Sequence, residues 1–173
     1  ALNDCSWEDI SKIAAAGLAS TYWSVGATKT ITINGTVGTL SLSNLSVDVF
    51  ILGFNHNSSV EGSNRIHFQI GKISSKLIGL IDGGYNSYDT NGTKYFNMNH
   101  WGNYNYGGWA GCDLRYDVLG STDVAPSGYG SAVTTSRVGY NASATCATNP
   151  VANTLMAALP ADLRAVMKGV TKY

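Results

Sequence analysis

TKTITINGTVGTLSLSNLSVDVFILGF, residues 28–54, is the stretch from which the fold is read. Residues 28–33 alternate and are rich in β-branched side chains, the pattern of a half-buried strand. Asn34-Gly35 follows, a strong short-range hairpin signal, so residues 36–42 are expected to return as the second strand. Leu45, Val47, Val49 and Ile51 then alternate with Ser46, Asp48, Phe50 and Leu52 before Gly53 and Phe54. This strand is expected to start half-exposed and end buried on both faces, which makes it central. Further on, Ile66, Phe68 and Ile70 fall to one side of a strand over 65–70, with Arg65, His67 and Gln69 on the other, and residues 77–81 read as one more.

Helical signals flank these strands. Ser6 precedes Trp7, Glu8 and Asp9 as an N-cap with acids in the first turn, and Trp7, Ile10, Ile13 and Ala14 recur at helical spacing, so a helix is expected over 7–16 with Gly17 as its stop. Near the other end, Thr148 or Asn149 is expected to cap a short helix with Pro150 in its first turn and Leu155 and Met156 inward. Pro160 is expected to start a helix over 161–168, in which Leu163, Val166 and Met167 share a face. Residues 170–173 are β-like. The fold class expected is α+β: a small antiparallel sheet of about five strands with three or four helices, in a single domain over 1–173 with an insertion-like loop at 121–144.

Charge narrows the partners. Eleven basic and eleven acidic side chains cancel, and charged residues make up only 13% of the chain, well below the usual quarter. No run of Lys or Arg occurs, so nucleic acid and membrane insertion are not expected. Cys112 and Cys146 bracket the Gly/Ser/Thr-rich excursion. A bond between them would close about 35 residues and stabilise by roughly 4 kcal/mol in oxidising surroundings. The alternative is two buried free thiols, with Cys5 free or paired outside the chain.

Residues 85–109 hold Tyr85, Tyr88, Tyr95, Phe96, Trp101, Tyr104, Tyr106 and Trp109 among Asn, Gly, Ser and Thr, with Asp89 and Lys94 the only charges. Tyr and Trp give large, stiff contact area, while Asn and Gly give adaptable hydrogen bonds and backbone freedom. The candidate binding residues are Tyr85, Tyr88, Tyr95, Trp101, Asn103, Tyr104, Asn105 and Tyr106. Trp109 opens a helical run stopped by Gly120, in which Trp109, Cys112 and Leu119 fall to one face and Arg115 points outward. Trp109, Arg115, Cys112 and Cys146 are therefore read as structural.

Chemistry is harder to find. Asn55, His56, Asn57, Glu61 and Asn64 share one turn, which suits Ca²⁺ in oxygen count, and His56 with His67 suits zinc, but neither matches a known ligand spacing. No metal or other cofactor is assigned. The plainer reading is a turn that satisfies its own backbone with Asn side chains, with His67 on the polar face of its strand. No nucleophile elbow is present, and His100 with Cys112 lacks a third group to orient it. For a hydrolase acting on surface carbohydrate, Asp48, Glu61 or Asp82 would serve as acid or base. Five Asn-x-Ser/Thr sequons, at Asn34, Asn44, Asn57, Asn91 and Asn141, barely exceed chance.

Four segments in order carry a resemblance: SWEDI (6–10) with Gly17 and YWSVG (22–26); FILGFNHN and EGSNRIHFQIGK within 50–72; FNMN and GGW..C.LR..VLG within 96–120; and ALPADLRAVMK (158–168). Together they resemble a domain of unknown function from gut Firmicutes and their phages, often described as a phage minor structural or tail protein. The resemblance covers most of the chain outside 121–144. It implies a virion or extracellular, cell-surface location, assembly with other virion or surface subunits as a homo-oligomer, and receptor binding to a host glycan or protein. Members continue beyond the point matching Tyr173 into a half similar to C-type-lectin-like folds, so this chain is expected to match the N-terminal part of such a fold. A purely architectural virion subunit is the alternative within the same family. No catalytic residues are implied.

Overall fold

The computed structural model describes residues 1–37, 40–73, 76–77, 138–140, 150–168 and 170–172. A 3-10 turn at Leu2–Asp4 leads into α1 (Trp7–Ala15) and α2 (Ala19–Tyr22); β1 (Thr28–Val37) and β2 (Leu40–Phe54) follow, then α3 (Ser58–Glu61), β3 (Ile66–Ile73) and the two-residue β4 (Lys76–Leu77). Later come β5 (Val138–Tyr140), α4 (Leu155–Ala158), α5 (Ala161–Val166) and β6 (Val170–Lys172). One antiparallel sheet runs β1-β2-β3-β4, and β5 pairs antiparallel with β6. The class is α+β, as expected. Among the described residues, three strands of substantial length and the two-residue β4 make the main sheet, with five short α-helices; most of the strand expected over 77–81 and the helical run expected from Trp109 lie outside the described residues.

The largest correction lies in the hairpin. β1 does not turn at Asn34-Gly35 but continues to Val37, and the expected return strand and the expected central strand merge into one fifteen-residue β2. Asn34-Gly35 serves a bulge instead. Ile33 pairs with Leu45 and Gly35 with Leu42, so Ser43 and Asn44 stand opposite Asn34 alone. Asn44 adopts φ 46°, and its N–H donates to Asn34 Oδ1 at 2.6 Å. Gly35, at φ 141°, has no Cβ where one would stand 3.2 Å from Ala158 Cβ, so α4 can lie close against β1. Asn and Gly suit positive φ in a bulge as well as in a turn, which is why local reading alone misplaces the reversal.

β2 is central, between β1 and β3. Its Val47, Val49 and Ile51 are buried together with Ile31, Ile33 and Val37 of β1. Helices cover that face: Trp7 and Ile10 from α1, Ala19 from α2, Leu155, Met156 and Ala158 from α4, and Leu163 from α5. Burial on both faces does not hold at the end of β2, where Leu52 is 43% exposed and Phe50 half-buried. On β3, Phe68 meets Trp7 edge-on at 5.4 Å between ring centroids.

Helix starts follow local chemistry. Ser6 Oγ accepts the Asp9 N–H at 3.0 Å, so α1 begins where the cap places it. The first C-terminal helix is corrected. Thr154, not Thr148 or Asn149, is its cap, accepting the Ala157 N–H at 3.4 Å, and Pro150 lies outside it. Leu155 and Met156 point inward as expected, and α5 ends at Val166 rather than Lys168. Lys29 ties the chain start to the sheet: its Nζ donates to the Cys5 carbonyl at 2.7 Å and sits 5.6 Å from the Trp7 ring centroid. Asn3 Oδ1 accepts the Thr30 N–H at 2.9 Å.

Ile51→Ala removes buried volume from the centre of the sheet and is expected to lower unfolding stability by about 2–5 kcal/mol in a urea titration. Leu52→Ala, one residue along on the exposed side, is expected to stay within about 0.5 kcal/mol.

Candidate functional site

The described residues converge chemically at one place, the loop over residues 55–65 that joins β2 to β3. Its ends are clamped in register. The Asn55 N–H donates to the Arg65 carbonyl at 3.0 Å, and the Arg65 N–H donates back to Asn55 Oδ1 at 2.9 Å. Between them the chain reverses through positive φ at Asn55, Gly62 and Asn64. Asn64 then donates from Nδ2 to the Ala15 carbonyl at 3.0 Å, satisfying an end carbonyl of α1 and fixing the loop to that helix. The expectation of Asn side chains serving backbone groups is thus met by Asn55 within the loop, and by Asn64 on a different element.

This reversal carries Glu61, at the end of α3, onto His67 of β3. The Glu61 side chain is 1% exposed, and its Oε2 lies 2.8 Å from His67 Nε2. A buried carboxylate is tolerated only with donors around it. Arg65 adds a further tie, its Nε donating to the Glu61 carbonyl at 3.0 Å. With Glu61 ionised, His67 Nε2 must be the donor, which leaves Nδ1 as the other ring nitrogen. That Nδ1 is buried and finds no hydrogen-bond partner among the described residues.

The second histidine lies flat on the first. His56 and His67 stack with centroids 5.1 Å apart and planes 8° from parallel. Gly53 makes this arrangement possible. It pairs with His67 after an extra residue, Leu52, in β2, and a Cβ at Gly53 would overlap the His56 imidazole outright. Sequence reading put Asn55, His56, Glu61 and Asn64 in one turn and considered His56 with His67, but missed Gly53 and Arg65. A glycine inside a strand is the signal that could have found Gly53, because it marks a close approach.

The arrangement limits the chemistry. Parallel imidazoles direct their in-plane lone pairs side by side instead of onto a common point, so this pair does not fit a shared metal ion. No cluster of three or more His, Cys, Asp or Glu that could hold a metal is present among the described residues. Asp48 does not join Glu61. It accepts from Thr30 Oγ1 at 3.0 Å and stands five positions along β2 from Gly53, about 17 Å at the ordinary strand rise, whereas paired glycosidase carboxylates sit about 5–9.5 Å apart. Asp82 and His100 lie outside the described residues. So do Tyr85, Tyr88, Tyr95, Trp101, Asn103, Tyr104, Asn105 and Tyr106, and the structural candidates Trp109, Cys112, Arg115 and Cys146. Among the described residues no helix is long and apolar enough to cross a membrane.

Comparison of the chain with protein-family models, with curated proteins and with solved structures gives no match.

Gly53→Ala is expected to drive His56 off His67. The measurement is the ring-current shift of the His67 Cε1 proton, which should move toward its unstacked value, with an unfolding cost of about 1–3 kcal/mol.

Proposed function

We propose that the protein is a virion or cell-surface structural subunit that uses the aromatic and Asn-rich stretch at 85–109 to bind a host-surface glycan or protein. What supports this reading is first that the described strands flanking that part of the chain in sequence are both paired. Before it, β4 pairs with β3 of the main sheet, and after it β5 pairs with β6. Binding segments are commonly carried on loops between paired elements of this kind. The composition of the stretch supplies the rest: rigid aromatic area for stacking on sugar rings or protein side chains, and amides for their hydroxyl and backbone groups. Near-zero net charge agrees with a neutral ligand. In this reading the subunit assembles with copies of itself, so weak single contacts add through multivalency.

The test is binding of the purified protein to a panel of immobilised bacterial-surface glycans and to intact host cells, alongside its assembly state by light scattering. Tyr104→Ala with Tyr106→Ala is expected to weaken binding by roughly tenfold or more, the scale of a lost aromatic anchor, with the unfolding midpoint unchanged. Undiminished binding by this variant sinks the assignment of the stretch. An assembled particle that binds neither glycans nor cells would favour the architectural subunit.

A further inference from the structure

We propose that Asn34 is a self-modification site guarded by the fold: the Asn34-Gly35 pair converts to aspartyl and isoaspartyl forms, and the bulge between β1 and β2 holds it unreactive until that bulge opens. The inference goes beyond the binding role and does not depend on it.

The chemistry needs only these two residues and water. The Gly35 main-chain nitrogen attacks Asn34 Cγ, and the new C–N bond closes a five-membered succinimide ring. The Cγ–Nδ2 bond breaks, and the amide group leaves as ammonia with the proton given up by the Gly35 nitrogen. Water then opens the ring, and nothing is oxidised or reduced. Attack at the Cγ carbonyl gives aspartate. Attack at the former main-chain carbonyl gives isoaspartate, whose chain runs through Cβ and Cγ. Glycine is the residue that least obstructs ring closure, because it carries no Cβ beside the nucleophile. Asn34 is exposed, so water reaches the ring once it forms.

The native geometry opposes the first step. Ring closure needs Cγ brought onto the Gly35 nitrogen in an aligned approach. Instead, the Asn34 side chain reaches across the ladder, where its Oδ1 accepts the Asn44 N–H of β2 at 2.6 Å. Asn44 offers that N–H from within the bulge, at φ 46°. Gly35 is held as well: it pairs with Leu42, and a Cβ on it would stand 3.2 Å from Ala158 Cβ, so α4 lies close against it. Turning the peptide between Asn34 and Gly35 toward Cγ works against both restraints. The two products then differ in their effect. Aspartate keeps a side-chain oxygen for the Asn44 N–H. Isoaspartate adds one methylene carbon to the main chain of β1, which puts Gly35, Thr36 and Val37 out of step with Leu42, Ser41 and Leu40. Opening of the bulge is thereby recorded in the covalent structure.

The test incubates the full chain at mildly alkaline pH, in native buffer and in guanidinium chloride, and follows peptide masses. Conversion replaces –NH2 by –OH, and fragmentation separates Asn34 from Asn91, which begins the other Asn-Gly pair in the chain. The denatured chain is expected to convert at Asn34 about tenfold faster than the native one, or more. Amide exchange supplies an independent yardstick, because breaking the bond between Asn34 Oδ1 and the Asn44 N–H frees both groups at once. The slowing of conversion in the native protein should be at least as large as the protection of the Asn44 amide. Native conversion that matches the denatured rate, or outruns the opening measured at Asn44, overturns the proposal. A denatured chain that converts at Asn91 and not at Asn34 overturns it too. After return to native buffer, the isoaspartyl form is expected to lack Asn44 protection and the unmodified chain to regain it. An isoaspartyl form that regains protection overturns the recording role, and if the chain does not refold, the rate comparison decides.

Discussion

Everything described here depends on burying one apolar face of a two-strand ladder. Ile33, Val47, Val49 and Ile51 are the most completely buried large side chains among the described residues, and they lie on paired stretches of β1 and β2. The helices that cover them are short: nine residues in α1, four in α4 and six in α5. Helices of that length are not stable alone in water, so they exist because the sheet receives their apolar sides. The dependence is mutual. Without Trp7, Ile10, Met156 and Leu163, the β1-β2 face would stand in water.

That mutual burial explains which features the sequence discloses. Capping is local: Ser6 with Asp9 needs only neighbours along the chain, and α1 is legible to within one residue. The alternation in β1, β2 and β3 is legible for the same reason, as a two-residue period. The position of the reversal is not, because Asn34-Gly35 suits a bulge as well as a turn, and the neighbour that Gly35 admits, Ala158, lies more than a hundred residues away along the chain. Thr154 was overlooked for Asn149-Pro150 because a proline signal outweighs an unremarkable threonine in local reading, whereas packing of Leu155 and Met156 sets where that helix starts.

The histidine cluster was half legible. One turn holding His56, Glu61 and several asparagines invited attention from residue types alone, yet the contact of Glu61 with His67 comes from a chain reversal at Gly62 and Asn64. What the sequence could not convey is burial. An exposed Glu-His pair would be a minor surface contact, while this carboxylate is withdrawn from water and ties its loop to both β3 and, through Asn64, α1. The same loop thus links the far end of the sheet to the first helix.

A separate consequence follows from Asn3. Among the described residues β1 is the outermost strand of its sheet, and an outermost strand offers its free main-chain groups as a template for a visitor. Here the Thr30 N–H is already taken by the Asn3 side chain, and the Leu2–Asp4 turn packs beside it. A second molecule cannot extend the sheet past this point without first prising the chain start away. Growth into a fibre by strand addition is thereby blocked at this segment, and copies of the protein that join here must do so through their side chains.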